Sequence, residues 1–147
     1  MSTSARRFAA VVALTLAGSC AGQRARGDEW TTPPEAAKTP NPEAADAKSL
    51  ARGHDIYRAE CLSCHGEKGL GDGPDGYVLD PPPAALTTEH VAAQSDGTLF
   101  FKISEGHEGM PPFAPRLTAE ARWHVVNYVR SLAPRRSGTA EPQAGPH

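Results

Sequence analysis

Apolar residues recur at helical spacing in three places between about Asp46 and Pro134, separated by polar stretches rich in Gly and Pro. The first, Ala47 to Glu60, carries Leu50, Ile56 and Tyr57 among good helix formers. The second has N-cap candidates in Ser95 and Asp96, runs through Leu99, Phe100 and Ile103, and stops at Gly106. In the third, Thr118 is placed to cap a run with Trp123, Val125, Val126, Tyr128, Val129 and Leu132 as apolar positions, ended by Pro134. No alternating strand pattern competes with these. The expectation is one all-α domain over 46–134, three to four helices with long loops. Roughly 90 residues make a thin core, so further apolar surface has to come from elsewhere.

The flanks read differently. Residues 1–20 have the form of an export signal: Arg6 and Arg7, then an apolar run from Phe8 to Leu16, then Ala17, Gly18 and Ser19 before Cys20. That run is shorter than the roughly 20 residues needed to cross a bilayer. The leader is similar to a bacterial lipoprotein signal, with Cys20 as the lipidated new N-terminus; here Ala17 stands where that pattern usually has leucine, and Leu16 lies one position further out. The competing reading is ordinary cleavage near Ala21. Residues 21–45, with Thr31-Thr32-Pro33-Pro34 and Thr39-Pro40-Asn41-Pro42, have few apolar side chains and read as a disordered linker, and 135–147 as a disordered tail.

Composition narrows the class. The chain has 147 residues with a formal net charge of -2. Loss of a leader containing Arg6 and Arg7 reduces the 15 basic residues to 13 against 17 acidic, a net of -4. Such a surface excludes nucleic acid as the expected partner, because phosphate binding calls for a basic patch.

The chemistry is concentrated in Cys61-Leu62-Ser63-Cys64-His65, the C-x-x-C-H attachment pattern for a c-type haem. Two thiols at that spacing can add across the two vinyl groups of one porphyrin, while His65 points its imidazole at the iron from the same turn. A half zinc site or a redox dithiol would use the same two cysteines, but zinc wants a second ligand pair and the only other cysteine is Cys20. Two cysteines in thioethers and one under lipid would leave no stray thiol in an oxidising compartment.

The second axial ligand is expected from Met110, the only methionine once the leader is removed, in Gly109-Met110-Pro111-Pro112-Phe113. A thioether favours ferrous iron and raises the potential relative to a second imidazole. The 45 residues between His65 and Met110 allow a helix and two loops to pass round the haem edge. His54, His90, His107 and His124 are the alternatives, His107 being only three positions away. Gly66 to Gly73 lacks the ending of a phosphate loop, and Asp72, Asp75 and Asp80 do not fit an EF-hand spacing. Arg116 is either a propionate partner or a solvated surface arginine.

These features together resemble the class I mono-haem cytochromes c, in particular the branch related to the haem subunits of cbb3-type oxidases. The resemblance covers about Leu50 to Leu132. It rests on Gly53 with Tyr57, Cys61 to Gly66, Gly71-Asp72-Gly73-Pro74, Leu79 with Pro81-Pro82-Pro83, Met110 to Phe113, and Trp123 to Leu132. It implies the all-α cytochrome c fold round one covalent haem c, with first and last helices crossing at Gly53 and Tyr57 packing near Val125 and Tyr128. It also implies that a carbonyl among Pro81 to Pro83 orients His65 through its Nδ1 proton. The implied function is electron transfer between redox proteins, a membrane oxidase or quinol-oxidising complex among them, at the outer side of the bacterial inner membrane. The alternatives are a fixed wiring subunit of an oxidoreductase complex, or a peroxidase or gas-binding haem whose sixth site opens.

Overall fold

The computed structural model describes residues 30–133; the leader, residues 21–29 of the linker and everything from Pro134 onward lie outside that range. Five α-helices occur among the described residues: α1 (Ala47–Glu60), α2 (Leu62–His65), α3 (Glu89–Ala93), α4 (Asp96–Glu105) and α5 (Ala119–Leu132), with 3-10 turns at Ala36–Lys38 and Gly76–Val78.

The three long helices begin where short polar side chains meet free backbone donors. The Asp46 carboxylate accepts from Ser49 N at 2.8 Å, the Ser95 hydroxyl from Thr98 N at 3.1 Å, and the Thr118 hydroxyl from Ala121 N at 3.1 Å. Helix α4 ends on Gly106, whose φ of 66° is open to glycine and strained for most other residues.

Helices α1 and α5, far apart in sequence, form the main packing contact. Gly53 is the reason they approach so closely: a Cβ there would lie 2.8 Å from the Cβ of Tyr128 and closer still to the carbonyl oxygen of His124. Tyr57, 1% exposed, sits on the same face of α1 with its ring centroid 5.1 Å from that of Tyr128. Val125, Val126, Val129, Leu99, Ile103, Val91, Phe113 and Trp123 complete the core, and Trp123 stacks on Phe100 at 3.9 Å.

Two parts of the fold differ from expectation. Helix α3 is an added element; capped by Thr88, it spans five residues, too few to show periodicity. Residues 30–45, expected as part of a disordered linker, are instead docked on α4 and α5. Ala36 is buried over Gly97, where a Cβ would meet Thr39 O at 2.7 Å, and Asn41 Nδ2 donates to Asn127 Oδ1 at 2.8 Å. Asn127 in turn donates to Ser49 Oγ at 2.8 Å and to Glu43 O at 3.2 Å. Counting apolar side chains underestimated this segment, because a glycine floor and polar pairing with a buried asparagine offset much of its ordering entropy. The domain therefore starts earlier than residue 46.

Candidate functional site

Helix α1 runs directly into the Cys-x-x-Cys-His turn. Cys61 N continues the α1 ladder to Tyr57 O at 2.8 Å, and His65 N bonds Cys61 O at 2.9 Å, so both thiols and the imidazole project from one short helical turn. The turn closes on Gly66, φ 79°, whose carbonyl accepts from the Tyr57 hydroxyl at 2.6 Å. The motif is thereby tied to the α1–α5 crossing through a single side chain.

The following loop folds back beneath the motif. Gly71 N bonds His65 O at 2.8 Å, Gly73 N bonds Cys64 O at 3.1 Å and Asp75 N bonds Ser63 O at 2.8 Å. At Gly73 and Gly76 a Cβ would press on Leu62 O at 2.6 Å and Cys64 O at 2.7 Å, so the glycines permit a backbone-on-backbone approach. This glycine-rich run is a support for the motif, not a phosphate loop.

His65 is oriented by the backbone. Its Nδ1 lies 3.0 Å from Ala84 O, and since a carbonyl only accepts, Nδ1 carries the proton and Nε2 keeps a free lone pair. The acceptor is one residue beyond the three prolines expected to supply it: Ala84, not Pro81, Pro82 or Pro83. The loop path sets which carbonyl reaches the ring, and a backbone oxygen leaves no mark in side-chain chemistry. Burial holds the His65 pKa below the ordinary value, and the Ala84 carbonyl opposes this only in part. Neutral imidazole with Nε2 free is the form a metal ion takes.

Cys61 and Cys64 are unpaired thiols. Burial, then the neighbouring Glu60 carboxylate and Cys64, push the Cys61 thiol up to about 12, with Arg116 pulling the other way. Arg116 itself pairs with Glu60 and lies over the Phe113 ring at 5.3 Å. Among the described residues no group of three or more His, Cys, Asp or Glu side chains converges, so these thiols have no second pair with which to build a tetrahedral zinc cage.

Met110 is carried by a separate loop after α4. Its N and O exchange hydrogen bonds with His107 O and N, both at 2.9 Å, and Phe113, 3% exposed, anchors the far end through Phe113 N to Ile103 O at 3.1 Å. Leu79, on the loop that closes over His65, faces Gly109, where an added Cβ would stand 3.4 Å from Leu79 Cδ2, and so brings the two halves of the site together. The rival histidines are engaged elsewhere. The His107 ring stacks on Trp30, His54 tilts against Tyr128, and the buried His124 bonds Ser49 Oγ through Nδ1 at 2.8 Å. His90 lines a cleft beside Trp30.

The residues fit a covalently held haem. Two thiols and an imidazole with its outer nitrogen free share one turn, and Leu70, Tyr77 and Val78 on the loop beside it are 50%, 80% and 85% exposed. Large apolar side chains left that open are what a porphyrin face would cover. Ala84 and the Trp30 stack on His107 are what sequence reasoning missed, while Leu79 had its signal beside the prolines.

Comparison with known proteins agrees with this geometry. Residues 48–129 match the family described as cytochrome c oxidase, cbb3-type, subunit III. The chain is similar to the cbb3-type cytochrome c oxidase subunit CcoP of Azospirillum brasilense, 29% identical over 93 residues, covering 63% of this chain and 31% of that protein. It is also similar to cytochrome c6 of Thermosynechococcus vestitus, 29% identical over 90 residues, covering 61% and 76%. Among solved structures, a chain of the reducing HAO-like protein complex of Kuenenia stuttgartiensis superposes with a TM-score of 0.57 at 31% identity, covering 63% of this chain and 47% of that one. The chain thus spans under a third of the oxidase subunit and about three quarters of the small cytochrome.

Proposed function

The chain belongs to the c-type cytochrome family of cbb3-oxidase subunit III, and on that premise we propose that it is a mono-haem electron carrier serving redox partner proteins. Cys61 and Cys64 would hold the haem as thioethers, and His65 Nε2 and Met110 Sδ would bind its iron. The haem supplies one-electron chemistry at its iron. His65 and Met110 would supply two strong iron ligands, which suits one-electron transfer and not substrate binding at the metal. His65 is held by Ala84, and the loop beneath it by glycine contacts and backbone hydrogen bonds, which limits rearrangement when the charge changes. The observation that carries this reading is the single turn presenting both thiols with an imidazole whose Nδ1 is already committed.

The test is retention of pigment. The haem should stay with the polypeptide through denaturation and acid-acetone extraction, and Cys61→Ala with Cys64→Ala should abolish this. Free haem b in the extract would overturn the assignment.

The location that suits this function is the outer side of the bacterial inner membrane, with Cys20 lipidated. No helix among the described residues is long and apolar enough to cross a membrane. Two or more acyl chains on Cys20 would hold the domain stably at the bilayer, where one would not. With residues 30–45 docked on the domain, only residues 21–29 separate it from a lipid on Cys20, which keeps the carrier's reach close to its anchor and favours a membrane oxidase or quinol-oxidising complex as partner. Intact mass spectrometry of membrane-derived protein checks this: acyl mass on Cys20 is expected, and a mature chain without it points to a freely diffusing periplasmic cytochrome.

A further inference from the structure

The docked N-terminal segment ends at the loop that carries Met110. The Trp30 indole stacks on the His107 imidazole with centroids 5.1 Å apart and planes 25° off parallel, and the Lys102 ammonium lies 5.1 Å from the indole centroid. Trp30 is held from behind. Three residues on, Pro33 O accepts from Ala36 N at 2.9 Å, Ala36 is buried over Gly97, and Asn41 bonds Asn127. The indole is thus mounted on a strap fixed to α4 and α5, and the ring it presses on belongs to the residue whose backbone exchanges both hydrogen bonds with Met110.

That loop needs a hold on this side. Glu108 adopts φ 48°, a left-handed conformation uncommon for a residue with a side chain, and Gly106 has φ 66° with Pro111 C 2.6 Å from where a Cβ would stand. The C-terminal arm is anchored by the buried Phe113. Residues 107–109 are exposed; Trp30 stacks on the His107 ring and Leu79 faces Gly109.

We propose that Trp30 is a positioning residue for the iron ligand: by stacking on His107 it fixes the hydrogen-bonded His107–Met110 turn and so keeps the Met110 thioether on the iron. The proposal rests on Met110 being an axial ligand. Removing the indole frees the His107 arm, the loop opens more often, and an external ligand gains access to the sixth position in proportion to that opening.

The experiment is a titration of the ferric, haem-loaded full-length protein with imidazole, followed at the Soret band, for Trp30→Ala, Trp30→Phe and Met110→Ala. An aromatic stack of this kind sets the expected scale: Trp30→Ala raises apparent imidazole affinity about three- to tenfold. Trp30→Phe, which keeps a ring on His107, recovers most of the native resistance, and Met110→Ala binds imidazole more tightly than either. His107→Ala removes the other ring of the stack and should reproduce the Trp30→Ala effect if that variant fails to fold. Val126→Ala, a core truncation in α5 outside the His107–Met110 turn, serves as the stability control.

Unchanged imidazole binding in Trp30→Ala while Met110→Ala opens the iron overturns the positioning role alone. So does an equal rise in Val126→Ala, since general destabilisation would then suffice. No gain in imidazole affinity in Met110→Ala overturns the ligand assignment and the proposal with it.

Discussion

Gly53 of α1 lies directly under the carbonyl of His124 in α5, at a distance that leaves no room for even a methyl group. The contact is backbone against backbone, so a substituted side chain has no flexible neighbour to displace. Gly53→Ala should destabilise the folded protein by about 3 kcal/mol, the upper part of the usual cost of overpacking. Urea denaturation of the haem-loaded protein measures it; a loss under 1 kcal/mol would mean that the helices can slide apart.

Met110→Ala should convert the low-spin ferric protein to a high-spin form, lower its potential and confer carbon monoxide binding on the ferrous state. Optical spectra and a redox titration read all three. An unchanged low-spin spectrum would identify another axial ligand, and His107 would have to leave its stack on Trp30 to serve as one.

Asn127 ties α5 to two stretches distant from it in sequence, residues 41–43 and the start of α1: it accepts from Asn41 and donates to Glu43 O and Ser49 Oγ. Asn127→Ala removes these bonds at a buried site, where Ser49 Oγ keeps His124 and Asn41 keeps Asp96, at a cost of about 2 kcal/mol. It should also expose residues 30–42 to limited proteolysis before the rest of the domain is cut. Simultaneous cleavage of strap and core would show that they do not separate.

Burial, with smaller contributions from Cys61 and Tyr128, raises the Tyr57 phenol well above its ordinary value near 10. The unfolded chain therefore releases this proton at lower pH than the folded one. Stability is fully present below about pH 10 and falls as pH rises beyond it. The loss persists in the thioether-bound protein because burial is the largest cause. Tyr57→Phe should lose about 1 kcal/mol at neutral pH with the bond to Gly66 O, yet decline less steeply above pH 10. Parallel pH–stability profiles for the two proteins would contradict this.

Much of the architecture was legible because its signals are local. Ser95 and Thr118 mark helix starts by side chains that accept from the first turn, and Gly106 marks an end by a dihedral that favours glycine. Cys61, Cys64 and His65 announce the site because their chemistry requires that spacing. What escaped is carried by backbone or by partners far along the chain. Ala84 orients His65 through a carbonyl that any residue possesses, so proximity to three prolines pointed one position short. The docking of residues 30–45 depends on Gly97 and Asn127, whose roles are visible only when the chain is folded.

The α1–α5 crossing also constrains the order in which the molecule comes into being. Gly53 and Tyr57 have nothing to close against until the chain has been made through Tyr128, so the first helix must wait for the last. A nascent or truncated chain ending before Thr118 keeps its Cys-x-x-Cys-His run but lacks the α5 surface against which Gly53 and Tyr57 pack. During that interval the Tyr57 hydroxyl bond to Gly66 O, which ties the motif to the crossing, has no backing from the final helix.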